Sequence, residues 1–163
     1  MSSSPGAATF LAEHRLSGDA VSIVEDLERL GGDERPQDLK VSVRPTELQL
    51  SDDDGQVTLR TPADRFYLSI APYRDKTHEC YFHGLTTCQG ELTAEDVHVK
   101  IVDTSGEVLV DQDTVTNANG FVGFWLPRGA SGTVELTTEG GAGSQPFSTG
   151  ADDPTCMTTL RVA

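Results

Sequence analysis

From Leu39 onward the apolar residues of this chain recur at every second position. Leu39, Val41 and Val43 alternate with Lys40, Ser42 and Arg44. Leu48 and Leu50 follow Pro45, and Val57 and Leu59 resume after the turn Asp52-Asp53-Asp54-Gly55. Phe66, Leu68 and Ile70 share one face of a further segment, and Val97, Val99 and Ile101 share one face of another. Period two sends alternate side chains to opposite faces of an extended backbone, so each run predicts a strand with one buried face. Asn119-Gly120 is a hairpin signal ahead of residues 121–126, which are apolar on both faces and predict a central strand. Val134 and Leu136 follow, and a last strand is predicted over 156–162. Short strands at regular spacing, punctuated by 16 glycines and 8 prolines, predict a mainly β chain folded as a β-sandwich.

Ahead of this region the period is helical. Thr9 is a candidate cap for a helix over 10–16, and Asp19 for one over 20–30. Val21, Val24, Leu27 and Leu30, with Ile23, form a stripe that Gly31-Gly32 ends; the stripe needs a sheet to bury it. The expected organisation is a disordered tether over 1–8, an N-terminal α+β domain over 9–61, and a C-terminal β-sandwich domain over 62–163. Residues 106–110 and 116–127 resemble the strand–turn–strand core of immunoglobulin-like sandwiches of the transthyretin or carboxypeptidase-regulatory kind. That resemblance speaks to fold alone.

The formal net charge is −14, which repels phosphate backbones and anionic lipid, so no nucleic-acid partner is expected. It fits solubility, and attraction for cations. No apolar run reaches the ~20 residues of a membrane span. Residues 1–6 lack the apolar core of a signal peptide. That leaves a cytosolic protein or a mature one whose signal has been removed, and the Ser/Gly/Ala-rich start suits the second.

The chemistry concentrates in three cysteines. Cys80 and Cys88 lie in the string Thr77-His78-Glu79-Cys80-Tyr81-Phe82-His83-Gly84-Leu85-Thr86-Thr87-Cys88, and Cys156 lies far downstream after Asp152-Asp153-Pro154. An odd number leaves one thiol over after a disulfide. One reading is a structural Cys80–Cys88 disulfide, worth roughly 2.5 kcal/mol in the chain-entropy model, with Cys156 as a small buried hydrophobe. The other is a soft metal held by thiolates and imidazoles, with Cys156 reaching the loop from a strand end. Three thiolates, or two and an imidazole, suit Cu(I). Zinc is a weaker candidate because closely spaced cysteine pairs are missing. His78 is two residues before Cys80 and shares its face on an extended backbone; His83 returns to the site only through a turn, which Gly84 permits. Both are candidate ligands. His98 is expected to face solvent, His14 to be unrelated, and Met157 to pack. Asp52-Asp53-Asp54-Gly55 lacks EF-hand spacing. No phosphate loop or serine elbow is present, and Cys80 with His83 lacks an evident oxyanion hole.

The string T-H-x-C-Y-F-H-x-L-T-T-C-x-G-E-L, the segment N-G-F-x-G-F-W-L-P-R and the ending D-D-P-T-C-x-T-T-L resemble the CueP family of periplasmic copper-binding proteins. V-R-P-x-E-L and F-Y-x-S-I-A-P-Y extend the likeness from about residue 39 to the end. The resemblance implies copper, as Cu(I) or Cu(II), bound by Cys80, Cys88 and Cys156, with His78 and His83 as additional ligands. It implies Cu(II) reduction by thiols, copper tolerance or delivery, and a location in the periplasm or cell envelope. It implies as partners a thiol–disulfide reductase and a copper acceptor such as Cu,Zn superoxide dismutase, in a monomer or dimer. Such a protein is not a conventional turnover enzyme. A secreted β-sandwich interaction module stapled by Cys80–Cys88 is the alternative. A thiol oxidoreductase is a third reading, weakened by the lack of C-x-x-C.

Overall fold

The computed structural model describes residues 7–16, 19–31 and 34–162. Helix α1 spans Ala7–Glu13 and α2 spans Ala20–Glu28. Eleven strands follow: β1 Lys40–Val43, β2 Glu47–Ser51, β3 Gln56–Arg60, β4 Arg65–Ile70, β5 His83–Gly84, β6 Asp96–Asp103, β7 Val108–Val115, β8 Val122–Pro127, β9 Ser131–Thr138, β10 Gly141–Ser148 and β11 Cys156–Met157. They form three sheets, ordered β3-β2-β1-β5, β11-β4-β8 and β10-β9-β6-β7. The chain is mainly β, a β-sandwich with a small helical N-terminal part.

The cap predicted at Asp19 is present: its side chain accepts from the Ser22 amide at 2.8 Å, satisfying a donor the helix start leaves free. The helix ends at Glu28, two residues before the apolar stripe does. Helix α1 starts earlier than expected, at Ala7, and residues 1–6 of the expected tether lie outside the described residues. Ile23, Val24 and Leu27 are buried with Val41, Val43, Leu48 and Leu50, so the α2 stripe does cover the first sheet.

The alternation read from sequence places its residues as expected. Phe66, Leu68 and Ile70 share a second core with Val97, Val99, Ile101, Val134 and Leu136. Residues 121–126 depart from expectation in an informative way. Strand β8 is an edge strand, hydrogen-bonded only to β4. Its two apolar faces arise from layering, because the β4–β8 pair lies between the two cores. Tyr67 opposite Trp125 faces the first core, while Leu68 opposite Phe124 faces the second. Gly123 makes room for this: a Cβ there would run into the Tyr67 hydroxyl.

Asn119-Gly120 also plays a different part from the expected hairpin. Gly120 has φ +82°, a turn conformation that favours glycine. The strands on either side pair with different partners, β7 with β6 and β8 with β4. The turn therefore carries the chain from one sheet to another. The strand expected over 156–162 is ordered as β11 plus a single bridge between Tyr73 and Arg161.

Candidate metal centre

The loop after β4 and the short strand β11 meet at the seam between the two cores. Strand β11 runs parallel to β4, with Cys156 beside Ser69. The backbone fixes this junction: the Ser69 amide donates to the Thr155 carbonyl at 2.9 Å, and the amides of Thr155 and Cys156 both donate to the Tyr81 carbonyl, at 3.0 and 3.1 Å. Cys156 is thereby held over the loop that carries Cys80. The hydroxyl of Thr155 accepts from the His83 amide at 2.9 Å and donates to the Val43 carbonyl at 2.6 Å. His83 itself lies on β5, which adds to the N-terminal sheet beside β1.

Cys80 and Cys156 form a disulfide, with Cα atoms 5.7 Å apart. The pairing differs from the Cys80–Cys88 staple of the alternative reading. The backbone bonds to Tyr81 bring Cys156 to Cys80, whereas a separate turn holds Cys88. The Cys88 amide donates to the Gly84 carbonyl at 3.1 Å, and the Gly84 amide donates back to the Cys88 sulfur at 3.4 Å. Cys88 is a free, half-buried thiol, its sulfur 3.5 Å from that of Cys80. A Cβ at Gly84 would strike the Thr87 hydroxyl, so the turn depends on glycine there.

Ligand atoms of Cys80, His83, Cys88 and Cys156 all lie within 4.8 Å of one another. Nδ1 of His83 is 3.8 Å from the Cys156 sulfur. His78 stands outside this tight group yet beside Cys88, whose thiol it helps to acidify. Its Nε2 is buried with no hydrogen-bond partner. Such an orphaned nitrogen is costly unless something else takes its lone pair or proton. With the Cys80–Cys156 disulfide reduced, three thiolates and an imidazole nitrogen would make a soft donor set that fits copper.

Electrostatics favour the thiolate. Burial pushes the Cys88 thiol up, but its hydrogen bond to His83, the charge of His83, the Gly84 amide and His78 outweigh it and bring the value to about 7. Burial alone would push His83 down; the Glu28 carboxylate, with Cys88, raises it instead to about 9. Glu28 is itself wholly buried. Desolvation opposes its ionisation, yet the charge of His83 and bonds from His83, Tyr67 and Ser69 hold it below the usual carboxylate range.

The sequence reading did not assign Glu28 to the site, and it read Asn119 only as part of a turn. Glu28 carried a signal: it lies four residues after Val24 and eight after Ala20, on the buried face of α2. A charge at that position needs partners. His98 is half-exposed between Asp111 and Asp113, each 2.7 Å away, and His14 pairs with Asp52. Neither lies at the centre. Met157 packs into the second core.

Two openings reach the centre. An apolar groove of about 400 Å³ runs along Tyr81, Phe147 and Met157 to Cys80 and Cys156. A polar cleft of about 330 Å³ runs along Lys40, Arg44 and Phe82 to Cys88. No described helix is long and apolar enough to cross a membrane.

The family model for the periplasmic copper-binding protein CueP matches residues 22–161. A crystal structure of S.CueP is similar to the chain with a TM-score of 0.88 at 38% sequence identity, covering 98% of this chain and 100% of that one. No curated protein sequence matches the chain.

Proposed function

The chain belongs to the CueP family of periplasmic copper-binding proteins, and from that premise we propose that it binds copper at Cys80, Cys88 and Cys156, with His83 and His78 as nitrogen ligands, and reduces Cu(II) with its thiols. The observation that carries this reading is the clustering of three sulfurs and an imidazole nitrogen within 4.8 Å. Cu(II) prefers nitrogen and oxygen, and Cu(I) prefers sulfur, so a thiolate-rich site favours the reduced ion.

The reduction balances within the site. Two thiols lose two protons and two electrons and form one disulfide, while two Cu(II) become two Cu(I). The Cys80–Cys156 disulfide corresponds to the oxidised product, and Cys88 with its two neighbouring histidines keeps a soft donor set in that state. A thiol–disulfide reductase outside the chain would restore the pair. The bound ion would then pass to an acceptor such as Cu,Zn superoxide dismutase, or be sequestered for copper tolerance outside the cytoplasm. We read residues 9–61 and 62–163 as the two structural units that meet at this centre.

The test is a Cu(I) titration of the anaerobically reduced protein against a competing chelator, with thiols counted before and after Cu(II) is added. Tight stoichiometric binding and the loss of two thiols per two Cu(II) are expected, both abolished in Cys80→Ser and Cys156→Ser. Affinity of micromolar or weaker, unchanged by Cys→Ser at all three positions, would sink the reading. Zinc added in place of copper tests the metal and should compete poorly.

A further inference from the structure

Glu28 comes from the helical N-terminal part, yet its carboxylate ends beneath the copper centre. Four donors from three separate segments converge on it. Nε2 of His83 lies 2.7 Å from Oε1, and Nδ2 of Asn119 donates to the same oxygen at 2.6 Å. The Tyr67 hydroxyl and the Ser69 hydroxyl donate to Oε2 at 2.6 and 2.7 Å. Both oxygens are thus fully engaged, and a buried carboxylate so engaged has little freedom to turn.

The consequence falls on His83, which is fully buried. An imidazole has two nitrogens, and the hydrogen bond made by one decides what the other can do. Here Nε2 is committed to Glu28, and Nδ1 faces the Cys156 sulfur. The Phe121 ring packs on the imidazole with centroids 4.3 Å apart, and the Phe121 amide is in turn bonded to Asn119 at 2.9 Å. Asn119 therefore braces both the carboxylate and the aromatic ring that hold the histidine.

We propose that Glu28 is the positioning residue of the copper centre: it holds the Nε2 proton of His83, so that Nδ1 is the nitrogen presented to copper alongside the three sulfurs. This rests on the copper-binding reading above and adds to it a residue from α2. Removing a carboxylate that orients a ligating histidine typically weakens metal binding by roughly 10–100-fold. Gln at this position removes the charge and leaves one accepting oxygen where the carboxylate has two. It therefore holds the Nε2 proton of His83 less firmly and lets the arrangement with the proton on Nδ1 compete.

The experiment uses full-length protein loaded with Cu(I), which is diamagnetic, and reads the ring nitrogens of His83 by long-range nitrogen–proton NMR. Wild type should show a protonated Nε2 and a metal-bound Nδ1. E28Q should bind Cu(I) roughly 10–100-fold more weakly in chelator competition and lose the metal-bound Nδ1 signal, and Glu28→Asp should recover part of both. A purely structural role for Glu28 would lower the melting temperature and leave the His83 signature of the loaded protein unchanged. That result overturns the proposal, as does Nε2 coordination in wild type, a readout that stands even if E28Q does not fold. Wild-type protein that fails to bind Cu(I) sinks the function itself. Tight binding by wild type and E28Q alike sinks only the role of Glu28.

Discussion

The Arg35 guanidinium donates from Nη1 to the carbonyl of Cys88 at 2.5 Å, across 53 residues of chain. A nearly buried cation from the segment before β1 thus grips the turn that holds the free thiol. Arg35→Ala should release that turn. Alkylation of Cys88 is expected to quicken several-fold, and stability to fall by about 1.5–3 kcal/mol, the range for a lost hydrogen bond to a charged donor. Quench-flow alkylation and denaturant melts check the two effects; an unchanged alkylation rate would show that the grip is incidental.

Cys88 should react as a thiolate near neutrality. Burial opposes its ionisation, but His83, the Gly84 amide and His78 bring its value to about 7, against ~8.5 for a free cysteine. A depressed acid gains ionisation as pH rises through its folded value. Alkylation by iodoacetamide in the copper-free protein should therefore show its midpoint near pH 7. His83→Gln removes the main opposing partner and should move the midpoint upward by at least one unit.

The oxidised, copper-free protein should yield one linkage on non-reducing peptide mapping, Cys80 to Cys156, with Cys88 free. The bridge spans a sequence separation of 76 residues, for which the chain-entropy model gives about 4.5 kcal/mol. Under oxidising conditions Cys156→Ser should lower stability by an amount of that order, and Cys88→Ser by much less. A Cys80–Cys88 linkage in the wild-type map would contradict the geometry.

His78 gives a prediction of opposite sign for stability and binding. Its Nε2 is buried without a partner, a cost of about 1–3 kcal/mol on a polar group. His78→Phe removes that cost and keeps a ring 6.3 Å from Phe121. Melting of the copper-free protein should stay level or rise, while Cu(I) affinity falls. A fall in both would mean that the imidazole is a packing element and not a ligand.

Much of the architecture was legible because period-two burial is a local signal. Val41 with Val43, and Val97 with Val99 and Ile101, could be assigned to faces without knowing what covers them. Strand β8 shows where that logic stops: two apolar faces say that both are covered, and strand order is a separate matter decided by pairing. The three sulfurs and His83 were legible as a group through soft-ligand chemistry and the family resemblance. Which two sulfurs are joined was not, since that depends on the backbone bonds between residues 155–156 and Tyr81, which have no side-chain signature. Glu28 and Asn119 were missed for a related reason. Glu28 shows in sequence only as a charge on a buried helix face and Asn119 only as a turn residue, and tertiary packing alone brings Glu28 to the His83 imidazole and Asn119 to Glu28.

The centre draws on residues from nearly the whole length of the chain: Glu28 from α2, His83 from β5, Asn119 from an intersheet turn and Cys156 from β11. A nascent chain that has not yet docked β11 against β4 has two sulfurs close in sequence and no third. It also lacks the Thr155 hydroxyl that links β1 to His83. On the proposed copper reading, the complete three-sulfur donor set is therefore assembled only once β11 has docked against β4, and a chain that stops short of Cys156 would meet copper with an incomplete one.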